Sequence, residues 1–169
     1  MARYPVDVVR VTPHGGWSYF RSEQGEGGTF HYALDLGGAA GTPVRAPEDG
    51  VVDTTASGLS APFTGYDPGV VLLRGRSGYY HLLGHTIPSV QAGQAVKEGQ
   101  QVGTIGINHV HWETRKKRLP DYAKYPRVQD AHRANNVDPW FWIYLAGFGG
   151  ILLLAGLGGV AYWLWRRRR

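Results

Sequence analysis

The sequence predicts an all-β domain carried on one C-terminal transmembrane α-helix. Three observations predict it. Short runs of alternating polarity are separated by Gly, Pro and Asp turns. No twelve-residue window before Asp138 repeats with a 3.6-residue period. Residues 139–165, 27 in all, carry no charge.

The strand candidates follow in order. Val6 to Val11 alternates in part, and Thr29 to Leu36 alternates throughout. Thr42-Pro43-Val44-Arg45-Ala46-Pro47 leads to a turn at Glu48-Asp49-Gly50, after which Val51 and Val52 resume an extended run. Gly69 to Arg74, Tyr79 to Leu83, Gln101 to Ile105 and Val110 to Thr114 complete the set. The polar stretch from Arg118 to Asn136 contains Pro120 and Pro126 and reads as a linker or a wrapped extension. The expected organisation is a domain over 1–117, a linker or extension over 118–138, a membrane helix over 139–165 and a basic tail over 166–169.

A helix of 27 residues is about 40 Å long, against a hydrocarbon core of about 30 Å. Trp140, Trp142 and Tyr144 mark one end of the span, and Tyr162, Trp163 and Trp165 mark the other. Amphipathic rings favour both membrane interfaces. Pro139 suits the first helical turn. Ala146/Gly150 and Ala155/Gly159 are small-residue pairs of the kind that lets two helices pack closely, so self-association is an expected property of the span. Arg166 to Arg169 directly after it place the C-terminus in the cytoplasm and the domain outside, although Lys124, Arg127 and Arg133 flank the other end. Met1 to Val11 lacks a basic region followed by an apolar stretch and is not read as a secretory signal. Export by the tail helix, or a membrane internal to a virion, are the two settings that would carry the domain across.

The net charge of +5 comes mostly from the tail. Residues 1–138 hold 14 of the 18 basic residues against all 13 acidic ones. A near-neutral body gives no reason to expect a nucleic-acid partner. The cluster Arg115-Lys116-Lys117-Arg118 reads as a solvated turn or strand end. The chain has no cysteine, which excludes disulfides, thiolate metal sites and a cysteine nucleophile. Any metal is left to histidine and carboxylate.

Four of the seven histidines fall in informative places: His31, His81, His109 and His111. In Phe30-His31-Tyr32-Ala33-Leu34-Asp35-Leu36, large apolar side chains alternate with His31, Ala33 and Asp35. Strand alternation puts the histidine and the aspartate on one face. Four residues of straight strand cover about 13 Å, too far for both to reach one ion at about 2 Å each. The chain is therefore expected to bend or bulge between them. His109 and His111 share a strand face about 6.6 Å apart, with Val110 opposite. Zinc suits His and Asp ligands, and a catalytic zinc takes three of them and leaves a position for water. His31, Asp35 and one of His109 and His111 would complete that set.

The order of motifs is more specific than any one of them. His31-x-x-x-Asp35 is followed by Gly41-Thr42-Pro43-Val44-Arg45-Ala46-Pro47 and Asp49-Gly50-Val51-Val52. Then come Tyr80-His81-Leu82, Val96-Lys97-Glu98-Gly99-Gln100-Gln101-Val102-Gly103 and His109-x-His111. Over residues 15–115 this resembles the LytM/lysostaphin-type zinc endopeptidases of the M23 class. The resemblance implies a compact, mainly antiparallel β domain with the site in a groove. It implies zinc held by His31, Asp35 and His111, with His81 and His109 as the catalytic pair that does not bind metal. The family cuts peptide bonds in peptidoglycan stems or cross-bridges. A module that keeps the fold, grips wall glycopeptide or activates a partner, and does no chemistry is the alternative. His85, four residues after His81, reads as a turn residue. Two departures from the family pattern stand out. Ala33 replaces a usual glycine, which matters if that position needs positive φ. Ile107-Asn108-His109-Val110-His111-Trp112 replaces the usual Gly-Pro-His-Leu-His-Phe.

Overall fold

The structure is a computed structural model that describes residues 3–7, 22–24, 29–57, 65–118 and 135–139. Strands β5 (Gly50–Ser57), β6 (Gly69–Gly75) and β7 (Tyr80–Gly84) run antiparallel in sequence, and β7 pairs with β11 (His109–Arg115). The short β9 (Ala95–Val96) covers the far edge of β5. The outer edge of β11 is shared by two strands. β3 (Leu34–Gly37) lies opposite His109 to Trp112, and β12 (Asn136–Val137) lies opposite Thr114 and Arg115. These strands make one antiparallel sheet. A smaller one runs β4 (Pro43–Arg45), β10 (Gln101–Ile105), β8 (Thr86–Pro88), and β1 (Ser22–Gln24) pairs with β2 (Thr29–His31).

Alternation along the large sheet sorts its side chains into two sets. Val71 and Leu73 of β6 stand beside Leu83 and His81 of β7, which in turn face Trp112 and Thr114 of β11. This side meets Val44 and Ala46 from β4 and the chain beyond it, and Val102 and Ile105 from β10, in the main core. Trp112 is the largest fully buried side chain in it. The opposite side carries Val70, Leu72 and Leu82, a second buried apolar group, and then His111, Glu113 and Arg115.

Most strands fall where the sequence places them. Thr29 to Leu36 is the informative exception. It is not one strand: β2 ends at His31 and β3 begins at Leu34. β2 pairs with β1 while β3 pairs with β11, so the chain turns at Tyr32 and Ala33 to leave one sheet and join the other. This is the bend that the distance between His31 and Asp35 demanded. Residues 5–7 form a bend rather than a strand, and Val8 to Val11 lies outside the described residues. β8 and β9, three and two residues long, are too short to leave a periodic signal. Asn136 and Val137 pair with β11, and residues 119–134 between them and Arg118 lie outside the described residues. Among the described residues no helix is long and apolar enough to cross a membrane, and the stretch from Trp140 to Trp165 lies outside them.

Trp112→Ala is expected to lower unfolding stability by about 3–5 kcal/mol, the usual cost of emptying a large aromatic site in a packed core. Denaturant melts of the two proteins measure it.

Candidate metal centre

Strand pairing brings the centre together. Asp35 of β3 and His111 of β11 are direct cross-strand neighbours, which puts their side chains on one face. The bend at Tyr32 and Ala33 then returns His31 to the same place. His31 Nε2 lies 3.0 Å from His111 Nδ1 and 3.2 Å from Asp35 Oδ1, and His111 Nδ1 lies 2.9 Å from Asp35 Oδ1. A tetrahedral zinc with ligand bonds of about 2.0–2.1 Å separates its ligand atoms by about 3.3 Å. The three donors therefore form nearly one face of such a tetrahedron and leave its fourth corner open. Two nitrogens and one carboxylate oxygen are also the donor set that suits zinc. Among the described residues they are the one His/Asp/Glu cluster with this geometry.

The electrostatics match that use. Burial pushes the Asp35 carboxyl up, but hydrogen bonds from His111 and His31 outweigh it and hold the group well below the usual carboxylate range. Burial also opposes charge on His111. Its hydrogen bonds to Asp35 and Glu113 override that and push it up to about 9. Without a metal, His111 thus donates from both ring nitrogens. Holding a metal requires Nδ1 to release its proton, while Nε2–H stays with Glu113 Oε1 at 3.2 Å.

Glu113 anchors that arrangement. It is buried two residues along β11 from His111, on the same face. Its Oε1 also accepts from the Tyr66 hydroxyl at 2.6 Å. Its Oε2 accepts from Arg115 Nε at 2.9 Å, Arg115 Nη2 at 2.7 Å and Asn136 Nδ2 at 2.6 Å. Arg115, at 0% exposure, is thus no solvated strand end; only Lys116, Lys117 and Arg118 of the basic cluster are exposed. Gly84 sits across from His111, where a Cβ would come within 2.6 Å of Tyr66 Cδ1, so its lack of a side chain admits the Tyr66 ring.

The histidines expected to stand beside a metal do not all lie near the cluster of His31, Asp35 and His111. His109 does: its Nδ1–H donates to Asn108 Oδ1 at 2.7 Å, and its Nε2 lies 3.8 Å from Asp35 Oδ2. His81 does not. It is fully buried on the core side of β7, opposite Thr114. Its Nδ1 accepts from Trp112 Nε1–H and the Thr114 hydroxyl, each at 3.3 Å, and its Nε2–H donates to Glu48 Oε1 at 2.8 Å. Ser77 donates to the same carboxylate from its hydroxyl and its backbone. Every polar atom of the His81 ring is engaged in tying the Glu48 turn to the core.

His85 takes the place expected of His81. Its ring centroid is 4.6 Å from that of His109 and 6.2 Å from that of His111. It occupies the turn after β7 with φ 56°, a left-handed conformation seldom adopted outside glycine and small polar residues. Its backbone N–H donates to Tyr66 O at 3.2 Å and its C=O accepts from Gly106 N at 2.8 Å, which hold the turn. Its Nδ1–H donates to Asp67 O at 2.6 Å, which directs Nε2 as the unprotonated nitrogen. Burial pushes its pKa down. The turn expected for His85 is present; what it does with the side chain was not legible. Tyr66, Glu113 and Asn136 had no sequence signal at all. Ala33 does not adopt positive φ, so the departure from glycine carries no backbone cost.

Comparison with known proteins agrees with this architecture. CbpA from L. salivarius REN superposes with TM-score 0.61 at 21% identity, over 82% of this chain and 91% of that one. Lysostaphin, solved by NMR, gives 0.59 at 21% identity, over 78% of this chain and 50% of that one. A zinc-containing peptidase from Vibrio cholerae gives 0.56 at 26% identity, over 73% of this chain and 39% of that one. The chain thus spans half or less of the length of two of these. Against curated protein sequences nothing matches. The family model for peptidase family M23 matches residues 29–123, more than half of the chain, and includes His31, Asp35 and His111. The chain belongs to peptidase family M23.

Proposed function

We propose that the chain is a zinc metalloendopeptidase that hydrolyses peptide bonds in peptidoglycan while held to a membrane by residues 139–165. The observation that carries the chemistry is the convergence of His31 Nε2, Asp35 Oδ1 and His111 Nδ1 within 2.9–3.2 Å of one another, with two further imidazoles alongside. Family membership and the likeness to a zinc-containing peptidase support the metal. The likeness to lysostaphin supports a wall peptide as substrate.

A zinc ion held by these three residues supplies a Lewis acid for the scissile carbonyl and for water. The rest falls to the protein. His85, neutral because burial disfavours its charged form, takes the proton of the attacking water at Nε2. The Asp67 carbonyl keeps the ring in the tautomer that can do so. The proton that His85 accepts passes on to the departing amine, while His109, packed against His85, stabilises the developing oxyanion from Nε2–H when its ring is protonated, its Nδ1–H staying with Asn108. His81 drops out of this pair and remains a structural tie. The apolar span and its arginine tail support an outward-facing domain confined to a thin zone at the surface, either of a bacterium remodelling its wall or of a virion opening one.

Zymograms on purified walls test the reading, with total zinc measured in parallel. The wild-type chain is expected to clear the wall and to lose that activity to a chelator. His31→Ala, Asp35→Ala and His111→Ala are each expected to lose both zinc and clearing. Zinc-free wild-type protein that digests no wall would leave only the non-catalytic module.

His85→Ala is expected to keep its zinc and to lose about 10²–10⁴-fold in turnover. Stoichiometric zinc with undiminished turnover in that variant would return the base to another residue. The pH profile carries a sign. A general base works deprotonated and the His85 pKa is lowered from 6.5, so kcat/KM is expected to hold down through pH 6.5 and fall only below it. An acidic limb above pH 6.5 would contradict the assignment.

A further inference from the structure

Asn136 lies beyond the residues that match the family, on the two-residue strand β12 at the outer edge of β11. It is 6% exposed. Its side-chain Nδ2 donates to Tyr32 O at 2.9 Å and to Glu113 Oε2 at 2.6 Å. One amide group carries two hydrogens that diverge, so a single side chain can serve both acceptors.

Those acceptors belong to the two halves of the metal centre. Tyr32 is the first residue of the bend between β2 and β3, and its carbonyl belongs to no strand ladder. The direction of the chain at that point decides whether His31 and Asp35 reach the same place. Glu113 is the acceptor for His111 Nε2–H, and the orientation of its carboxylate decides where His111 Nδ1 points. We propose that Asn136 is a positioning residue for the metal centre: its amide clasps the bend that carries His31 and Asp35 to the carboxylate that aims His111. This rests on the reading of those three residues as zinc ligands. It adds that the centre of this chain is completed by Asn136, 25 residues past His111 and outside the matched family unit.

The clasp is separable from the docking of β12. The strand is also held by backbone pairing of Asn136 with Arg115 and of Val137 with Thr114, and by Lys116 N donating to Asn135 O at 2.9 Å. Replacing the Asn136 side chain leaves all of these. A residue that only stabilised the fold would lower the melting temperature and leave the zinc affinity of the folded protein unchanged. A positioning residue moves the affinity itself, because misaimed ligands bind the ion less well. Outer-shell partners of metal ligands are typically worth about 10–100-fold in affinity.

The experiment uses the full chain. Zinc dissociation constants are measured by competition with a chelator, the ligand-field absorption of the cobalt-substituted protein is recorded, and the metal-free melting temperature is followed by circular dichroism. Asn136→Asp keeps the volume and removes the donors, and Asn136→Ala provides a second variant should the first not fold. Val137→Ala weakens β12 without touching the clasp. About a tenfold or greater loss of zinc affinity with an altered cobalt spectrum is expected in either Asn136 variant, and unchanged affinity in Val137→Ala. If zinc affinity and cobalt spectrum match wild type in the Asn136 variants, whatever the melting temperature does, the clasp is overturned. An equal affinity loss in Val137→Ala would also overturn it, since docking alone would then account for the effect. The reading beneath has its own signal. A wild-type chain that binds no stoichiometric zinc, or a His111→Ala variant that binds it as well as wild type, would overturn the ligand set and the clasp together.

Discussion

Strand β11 has to satisfy two environments at once, and the strict alternation of its side chains allows it. Val110, Trp112 and Thr114 point into the main core, while His111, Glu113 and Arg115 point to the metal centre. The apolar set fixes the strand's register against β7 and β3, because a slip of one residue would exchange the two sets. That register makes Asp35 and His111 neighbours. The metal centre thus depends on the burial of residues that never touch it, Trp112 above all.

The polar side of β11 meets the opposite problem. Glu113 and Arg115 are buried, and charges taken out of water are costly unless paired and hydrogen-bonded. Here the carboxylate receives five hydrogen bonds, from His111, Tyr66, Asn136 and twice from Arg115. Removing one partner of a buried ion pair typically costs about 3–5 kcal/mol. Such a network contributes little net stability but leaves the His111 ring almost no alternative orientation. An imidazole held this way keeps Nδ1 aimed at Asp35 and His31, whether or not that nitrogen carries its proton.

The same alternation explains which histidines were readable. His109 and His111 sit two apart on one strand, and Asp35 follows His31 at a distance that a bend must close. Both relations are visible in a string of residues. His81 and His85 are not distinguished that way. Tyr80-His81-Leu82-Leu83-Gly84 is apolar on both faces, so its pattern does not reveal which side His81 takes. Pairing decides it: His81 lies opposite Thr114, on the core side, and the strand ends in a left-handed turn that swings His85 toward His109. Arg115 misled for a related reason. In a run of four basic residues, nothing local shows that the first still belongs to the strand and reaches Glu113.

Composition, turn spacing and the order of histidine and aspartate motifs were enough to determine an all-β domain, the candidate residues that cluster in it and a charge-free C-terminal stretch. Each of these depends on relations among residues near in the chain, or on types that few other chemistries use. Tertiary structure alone decided the rest: which face His81 takes, that His85 joins the site, that Tyr66 packs against His111 and that Asn136 reaches Glu113. Those are relations between residues tens of positions apart, created by strand pairing. Asn136 reaches Tyr32 across 104 positions of chain only because both lie along one edge of β11.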